Sequence, residues 1–205
     1  MRKLSKKSSR RRKPKQRRSR QTVEAILDAV LRILKREGNR GVTTNRIAEV
    51  AGVSIGSVYQ YFPDKRAIFA ALHERHIEQI DRMVERTLVE HAASPLTELM
   101  TALIEGMLEA HRADPELYEM MAAEVPHRAG GTRDFSVRLH GAFRLALAAR
   151  ARELKKGRDL DRMAFVVGNL VDALSHAALM RRPAGMTLAQ TKAEAVRAVL
   201  AYLRF

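Results

Sequence analysis

"TTNRIAEVAGVSIGSVYQYFPDKR", residues 43 to 66, carries one glutamate and one aspartate in twenty-four positions, sets Gly52 and Gly56 four apart, and places Tyr59 and Tyr61 beside Phe62. Three helix starts lie within or beside it, all of one build. Thr43, Ser54 and Asp64 are good N-caps, because each side-chain oxygen can accept from an orphan amide of the first turn. Each is flanked by a pair at staple spacing, Val42 with Ile47, Val53 with Val58 and Pro63 with Ile68, which fixes the angle at which the chain enters the helix. Gly52 supplies the left-handed residue that a sharp stop requires. Two helices this short cannot stand alone. Crossed over a three-residue turn and packed on the preceding helix, they make a helix-turn-helix.

The helix from Ile55 to about Phe62 indicates what the arrangement is for. At 100° per residue, Val58 and Phe62 point inward and Ile55 and Tyr61 flank them, leaving Gly56, Ser57, Tyr59 and Gln60 outward. That face has no acid and no lysine. A helix that met only water would carry charge. One that enters a DNA groove must be narrow, lack acids and offer donors and acceptors to base edges and phosphates. Gly56 permits close approach, Gln60 can bond base edges, and Tyr59 and Tyr61 can reach phosphates or a thymine methyl.

The segment from about Thr22 to His76 resembles the DNA-binding domain of the tetracycline-repressor (TetR) family of bacterial transcription regulators. The order of cap, Ile-Ala, Ala-Gly-Val-Ser, Tyr-x-Tyr-Phe and Asp-Lys carries the resemblance. It implies that Thr43 and Thr44 contact the DNA backbone, that Asn45 and Arg46 lie near the groove, and that Ser57, Tyr59, Gln60 and Tyr61 sit on the recognition helix. It also implies that Lys65 meets a phosphate. With the cap Ser54 and with Gly56, these form the expected DNA-binding set.

Outward from the head, charge is uneven. Of 38 Lys and Arg, twelve fall in residues 1 to 20 with no acid among them, which leaves 26 against 23 acidic residues for 21 to 205. Such a tail cannot bury enough surface to order itself, and its charge suits a polyanion, usually nucleic acid. It is longer than the basic arms that precede the head in related proteins. The expected organisation is a disordered basic tail at 1–20, a helix-turn-helix domain at 21–66 and a helical effector-binding and dimerisation domain at 67–205. No cysteine is present, which excludes disulfides and thiol chemistry and fits a reducing bacterial cytoplasm, with the protein on the nucleoid when bound. No apolar run of about 18 residues is read as a membrane span.

Beyond Ser94-Pro95 the helical stripes lengthen, and no alternating strand pattern occurs anywhere. The expected fold is all-α, with about nine helices. The stretch Leu160–Met180 is apolar nearly all round, so it should be buried on more than one side, and self-association is the simple way for one chain to achieve that. The family resemblance implies the same, with the last two helices forming a four-helix bundle across a dimer two-fold. Phe165, Val166, Leu170, Leu174, Val196, Val199 and Leu203 are the expected interface. A homodimer would place two heads on a pseudo-palindromic double-stranded DNA site.

The resemblance further implies a pocket for a small-molecule effector, here unidentified. Met107, His111, Tyr118, Met121, Phe143, Asp172 and His176 are its candidates, being polar or soft residues on apolar stripes. Met and aromatic residues at such spacing also serve as ordinary core filler.

No phosphate-binding glycine loop, nucleophile elbow or paired catalytic carboxylates occur, so no enzyme, catalytic residue or cofactor is expected. His73 and His76 with Glu74 and Glu78 lack the spacing of the zinc-peptidase motif, and a charged helix face accounts for them better than a metal. The competing reading is an architectural DNA binder driven by the tail and indifferent to sequence.

Overall fold

The computed structural model describes residues 17–112, 117, 120 and 131–205, with side chains from Val137 onward in the last stretch. Among these residues there are eight α-helices and no strand. They are α1 (Arg17–Gly41), α2 (Thr44–Ala51), α3 (Ile55–Tyr61), α4 (Lys65–Glu90), α5 (Leu96–Arg112), α6 (Gly131–Ala148), α7 (Leu160–Met180) and α8 (Leu188–Arg204), with a 3-10 turn at Ala151–Glu153. The fold is all-α as the periodicity requires. The apolar spacing also predicts a helix at Pro115 to Val125, most of which falls outside the described residues.

Two compact units divide the chain. In the first, α1 buries Val23, Ile26, Leu27, Val30 and Leu34, the stripe that their three- and four-residue spacing predicts, and Ile33 besides. The helix starts at Arg17, so residues 17 to 20 are helical and not part of a disordered tail. Arginine and glutamine are good helix formers, and the Thr22 hydroxyl donates to the Arg18 carbonyl at 3.1 Å. Gly38 breaks the helix at φ 67°, the stop its sequence position suggests.

α2 and α3 add Ile47, Ala48 and Val58, with Phe62 just beyond, to the same core. At about 1.5–3 kcal/mol for each large apolar side chain fully buried, these few anchors hold helices too short to persist by propensity. Gly52 closes α2 in the left-handed region (φ 67°), its amide donating to Ala48 and Glu49 carbonyls. The unit does not end at 66. Ile68, Phe69, Ala71 and Leu72 of α4, together with Leu117 and Met120, belong to its core, and the unit runs to His73.

The second unit comprises Glu74 to Arg112 and Gly131 to Phe205 among the described residues. Here α5 packs against α7 and α8, α7 also packs on α6, and α7 and α8 pack on each other. Gly106 leaves room for the Met83 side chain of α4: a Cβ built there would lie 2.5 Å from the Met83 sulfur. Arg150 is buried, and its guanidinium donates to the carbonyls of Ser94 (2.9 Å), Ala146 (3.0 Å), Ala92 (3.1 Å) and His91. It thereby satisfies carbonyls just beyond the end of α4 and ties them to the end of α6. The Glu153 carboxylate accepts from the Leu96 amide at 3.0 and 3.1 Å, capping α5 from fifty-seven residues away.

Among the described residues one helix, α7, is long and apolar enough to cross a membrane by length and composition alone, although charged and polar residues interrupt its apolar run. Its Met163, Ala164, Val167, Val171, Ser175 and Ala178 are buried within the unit, as in the core helix of a globular domain.

Candidate nucleic-acid interface

Thr43 Oγ1 accepts from the Arg46 amide at 3.3 Å and starts α2. Thr43 and Asn45 are exposed at that end and Thr44 is half-buried. Ser54 Oγ accepts from the Ser57 amide at 3.1 Å, and the two serine hydroxyls are hydrogen-bonded to each other at 2.8 Å. Asp64 Oδ1 accepts from the Ala67 amide at 2.8 Å, capping α4. All three caps thus act as their spacing indicates, and they fix α2 and α3 as a rigid pair.

On α3, Val58 turns into the core while Gly56, Tyr59 and Gln60 are exposed, Tyr59 at 54%. Tyr61 is half-buried against the head's core. Gly56 is not needed by the fold: a Cβ there would meet only the Ser54 hydroxyl, at an ordinary 3.8 Å. Its bareness leaves open surface on the outer face. Ile55 is also exposed, at 45%, at the flank the helical geometry assigns to it.

Two cations of the expected contact set are engaged within the head. Arg46 donates to Glu37 through Nε at 3.0 Å and Nη2 at 2.7 Å, and its Nη1 lies 2.9 Å from Glu49. The bonded guanidinium holds the Glu37 carboxyl below the usual range, and the two carboxylates push Arg46 above its own ordinary value. Lys65 Nζ donates to the Asn39 carbonyl at 3.3 Å and to its side-chain oxygen at 3.1 Å, and rests 5.0 Å from the Phe69 ring centre. Neither Glu37 nor Asn39 stands out in the sequence.

Residues 26–72 match the model of the bacterial regulatory proteins of the tetR family, and residues 95–203 match that of the tetracyclin repressor-like C-terminal domain. The chain belongs to the TetR family. It is 39% identical over 82 residues to the nucleoid occlusion factor SlmA of Haemophilus ducreyi, covering 39% of this chain and 37% of that protein. It is 34% identical over 96 residues to the transcriptional repressor KstR of Rhodococcus jostii, covering 47% and 43%. The chain therefore spans less than half the length of these curated relatives. SmeT, the repressor of the Stenotrophomonas maltophilia multidrug efflux pump SmeDEF, superposes with a TM-score of 0.65 at 25% identity, over 89% of this chain and 92% of that one.

In the C-terminal domain the expected effector set is only partly assembled. Met107 and Phe143 are fully buried in the core, which is the filler role. His111 is buried too, its ring centre 6.0 Å from that of His176 and 5.9 Å from that of His76. Burial first, then His76 and His176, depress His111 to a pKa of about 3. Asp172 keeps exposed surface on α7, yet its carboxyl is packed closely enough for burial to count against its charged form. The surrounding protein thus holds that carboxyl above the ordinary range, with His176 opposing the shift. Tyr118 and Met121 lie outside the described residues.

His76 is a correction. It does not belong to a charged helix face but is buried, because it stands four residues from both Leu72 and Ile80 on the inward stripe of α4, with Ile77 displaced to the flank. Among the described residues no three of His, Cys, Asp and Glu are placed to hold a metal. An open cleft of about 870 Å³ lies elsewhere in the unit, lined by Met83, Leu108 and Leu188 with Arg86, Arg112 and Lys192. None of the expected effector residues lines it.

Of the expected interface residues, Phe165 is 63% exposed, and Val166, Leu170, Leu174 and Val196 are partly covered. Val199 and Leu203 are fully buried within their own chain. They point to α5 and α7 and have no surface left for a partner.

Proposed function

We propose that this chain is a homodimeric transcriptional repressor that reads a pseudo-palindromic operator through α3 and releases it when a small-molecule effector binds the C-terminal domain. The observation that carries the reading is the outer face of α3. A helix held rigidly by Ser54 and Val58 presents Gly56, Tyr59 and Gln60 outward with no acidic side chain, which is what base-edge and phosphate contacts require. The names of KstR and SmeT as repressors support it. The exposed Phe165 on the apolar α7 supports pairing of two chains there, with cytoplasmic action on nucleoid DNA.

An effector acts by preferring one separation of the two heads. For a tenfold loss of operator affinity, that preference must amount to about 1.4 kcal/mol. α4 contributes to the cores of both units and is the element through which we expect the shift to travel.

The second reading, sequence-indifferent binding to the nucleoid, draws on the twelve cations of residues 1 to 20 and on the likeness to SlmA, a nucleoid occlusion factor. Genome-wide fragment selection with the purified chain, beside a version lacking residues 1 to 16, separates the two. A shared palindromic site retained without the tail supports the repressor. Binding without enrichment, or lost with the tail, overturns it.

A further inference from the structure

Arg46 is an unexpected residue for its position. It is the third residue of α2, where the unsatisfied amides and the helix dipole place positive charge and where an acid or glutamine would complete a capping box with Thr43. No acid occupies the first turn of α2. Instead, two carboxylates from elsewhere turn onto the guanidinium: Glu37, near the end of α1, in a two-pronged arrangement, and Glu49, one turn on along α2. The pair is a surface one, with the Arg46 and Glu37 side chains each about a third exposed at 36% and 33%. It lies beside Thr43 and Asn45, which are open to solvent at the same helix end.

We propose that Glu37 occupies, on Arg46, the place of a DNA phosphate. Glu37 and Arg46 together then set the balance between loose backbone binding and binding to the operator. This rests on the reading of the head as a DNA-binding domain. A carboxylate and a phosphate accept from the guanidinium fork in the same geometry, and an exposed ion pair is weak enough for the field of a polyanion to open it. A strut between α1 and α2 does not by itself require a cation at a helix N-terminus, whereas for a phosphate the guanidinium adds its charge to amides that already suit an anion. In a chain whose first twenty residues attract any DNA, an internal competitor for one backbone contact limits binding wherever α3 gains nothing from the bases.

The test measures affinity for a random duplex and for a selected operator from 50 to 200 mM salt. It uses the full chain and its Glu37→Gln, Glu37→Asp, Arg46→Gln and Glu37→Gln/Arg46→Gln variants. Glu37→Gln is expected to tighten binding to the random duplex and to steepen its salt dependence. One further phosphate contact makes the loss of affinity over that range about 3.5-fold greater.

Glu37→Asp keeps the charge but draws the carboxylate back, so it is expected to steepen the slope likewise. It also covers the case in which Glu37→Gln loses its fold. In the Arg46→Gln background, Glu37→Gln should change neither slope. An equal gain in that background, or an unchanged slope in Glu37→Asp, overturns the proposal. So does weaker binding by Glu37→Gln at the wild-type slope, which marks a strut. Failure of the unaltered chain to bind either duplex instead overturns the DNA-binding reading itself.

Discussion

Lowering the pH from 7 to 5 should cost this protein stability through His111. The ring is 3% exposed, with His76 of α4 and His176 of α7 facing it at 5.9 and 6.0 Å and Asp172 beyond His176. Burial, reinforced by the two neighbouring rings, holds His111 at a pKa of about 3, against an ordinary 6.5. The sign follows from proton counts. Between these values the unfolded chain binds a proton that the folded chain refuses, so the stabilisation is complete above about 6.5 and is lost as the pH falls toward 3. The slope is about 1.4 kcal/mol per pH unit, and integration from pH 7 to 5 gives roughly 2 kcal/mol. Against a total stability of about 5–15 kcal/mol, that is readily measured.

The assay is urea unfolding at pH 7, 6 and 5 at one protein concentration, run beside His111→Leu. The other titrating groups remain in both proteins, so the difference between the two pH profiles isolates His111. The variant should lose about 2 kcal/mol less than the parent over this range. Parallel profiles would refute the reasoning and place the proton elsewhere in the row of rings.

Tyr59→Ala removes an exposed side chain from the outer face of α3 and should weaken operator binding about tenfold or more, with melting temperature and oligomeric state unchanged; full affinity would remove Tyr59 from the interface. Phe165→Glu places a charge on the exposed apolar face of α7 and should convert dimer to monomer by sedimentation, while an unchanged dimer would locate the two-fold elsewhere. Arg150→Met strands the carbonyls of His91, Ala92, Ser94 and Ala146 and should cost about 3 kcal/mol in thermal or urea unfolding, whereas a loss under about 1 kcal/mol would mean that water replaces the guanidinium.

What the sequence discloses and what it conceals divide by range. The caps pair Thr43, Ser54 and Asp64 with amides three residues on, and Gly52 acts on carbonyls of the turn before it. Such interactions lie within one helical turn, so residue type and spacing determine them before any packing is known. The outward set of α3 follows for the same reason. Arg46 with Glu37 and Lys65 with Asn39 are nine and twenty-six residues apart. Each pair meets only after the kink at Gly38 and the crossing of helices bring the two side chains together, and no local pattern marks a glutamate as the partner of an arginine across a bend.

His76 shows a different limit. It stands four residues from both Leu72 and Ile80, but its polarity, amid Glu74, Arg75 and Glu78, points to solvent. The ring is buried with that of His111 beside it at 5.9 Å, a neighbour on another helix that the local sequence does not disclose. In α7 and α8 the periodicity reports how much of each helix is apolar without saying which apolar side its own chain covers. Val199 and Leu203 face α5 and α7, and Phe165 does not. The distinction depends on which helices arrive on each side, a property of the assembled core. A sequence met alone therefore specifies the caps and the outward face of a helix-turn-helix, while the covered and uncovered faces of the long helices emerge only once those helices have chosen their neighbours.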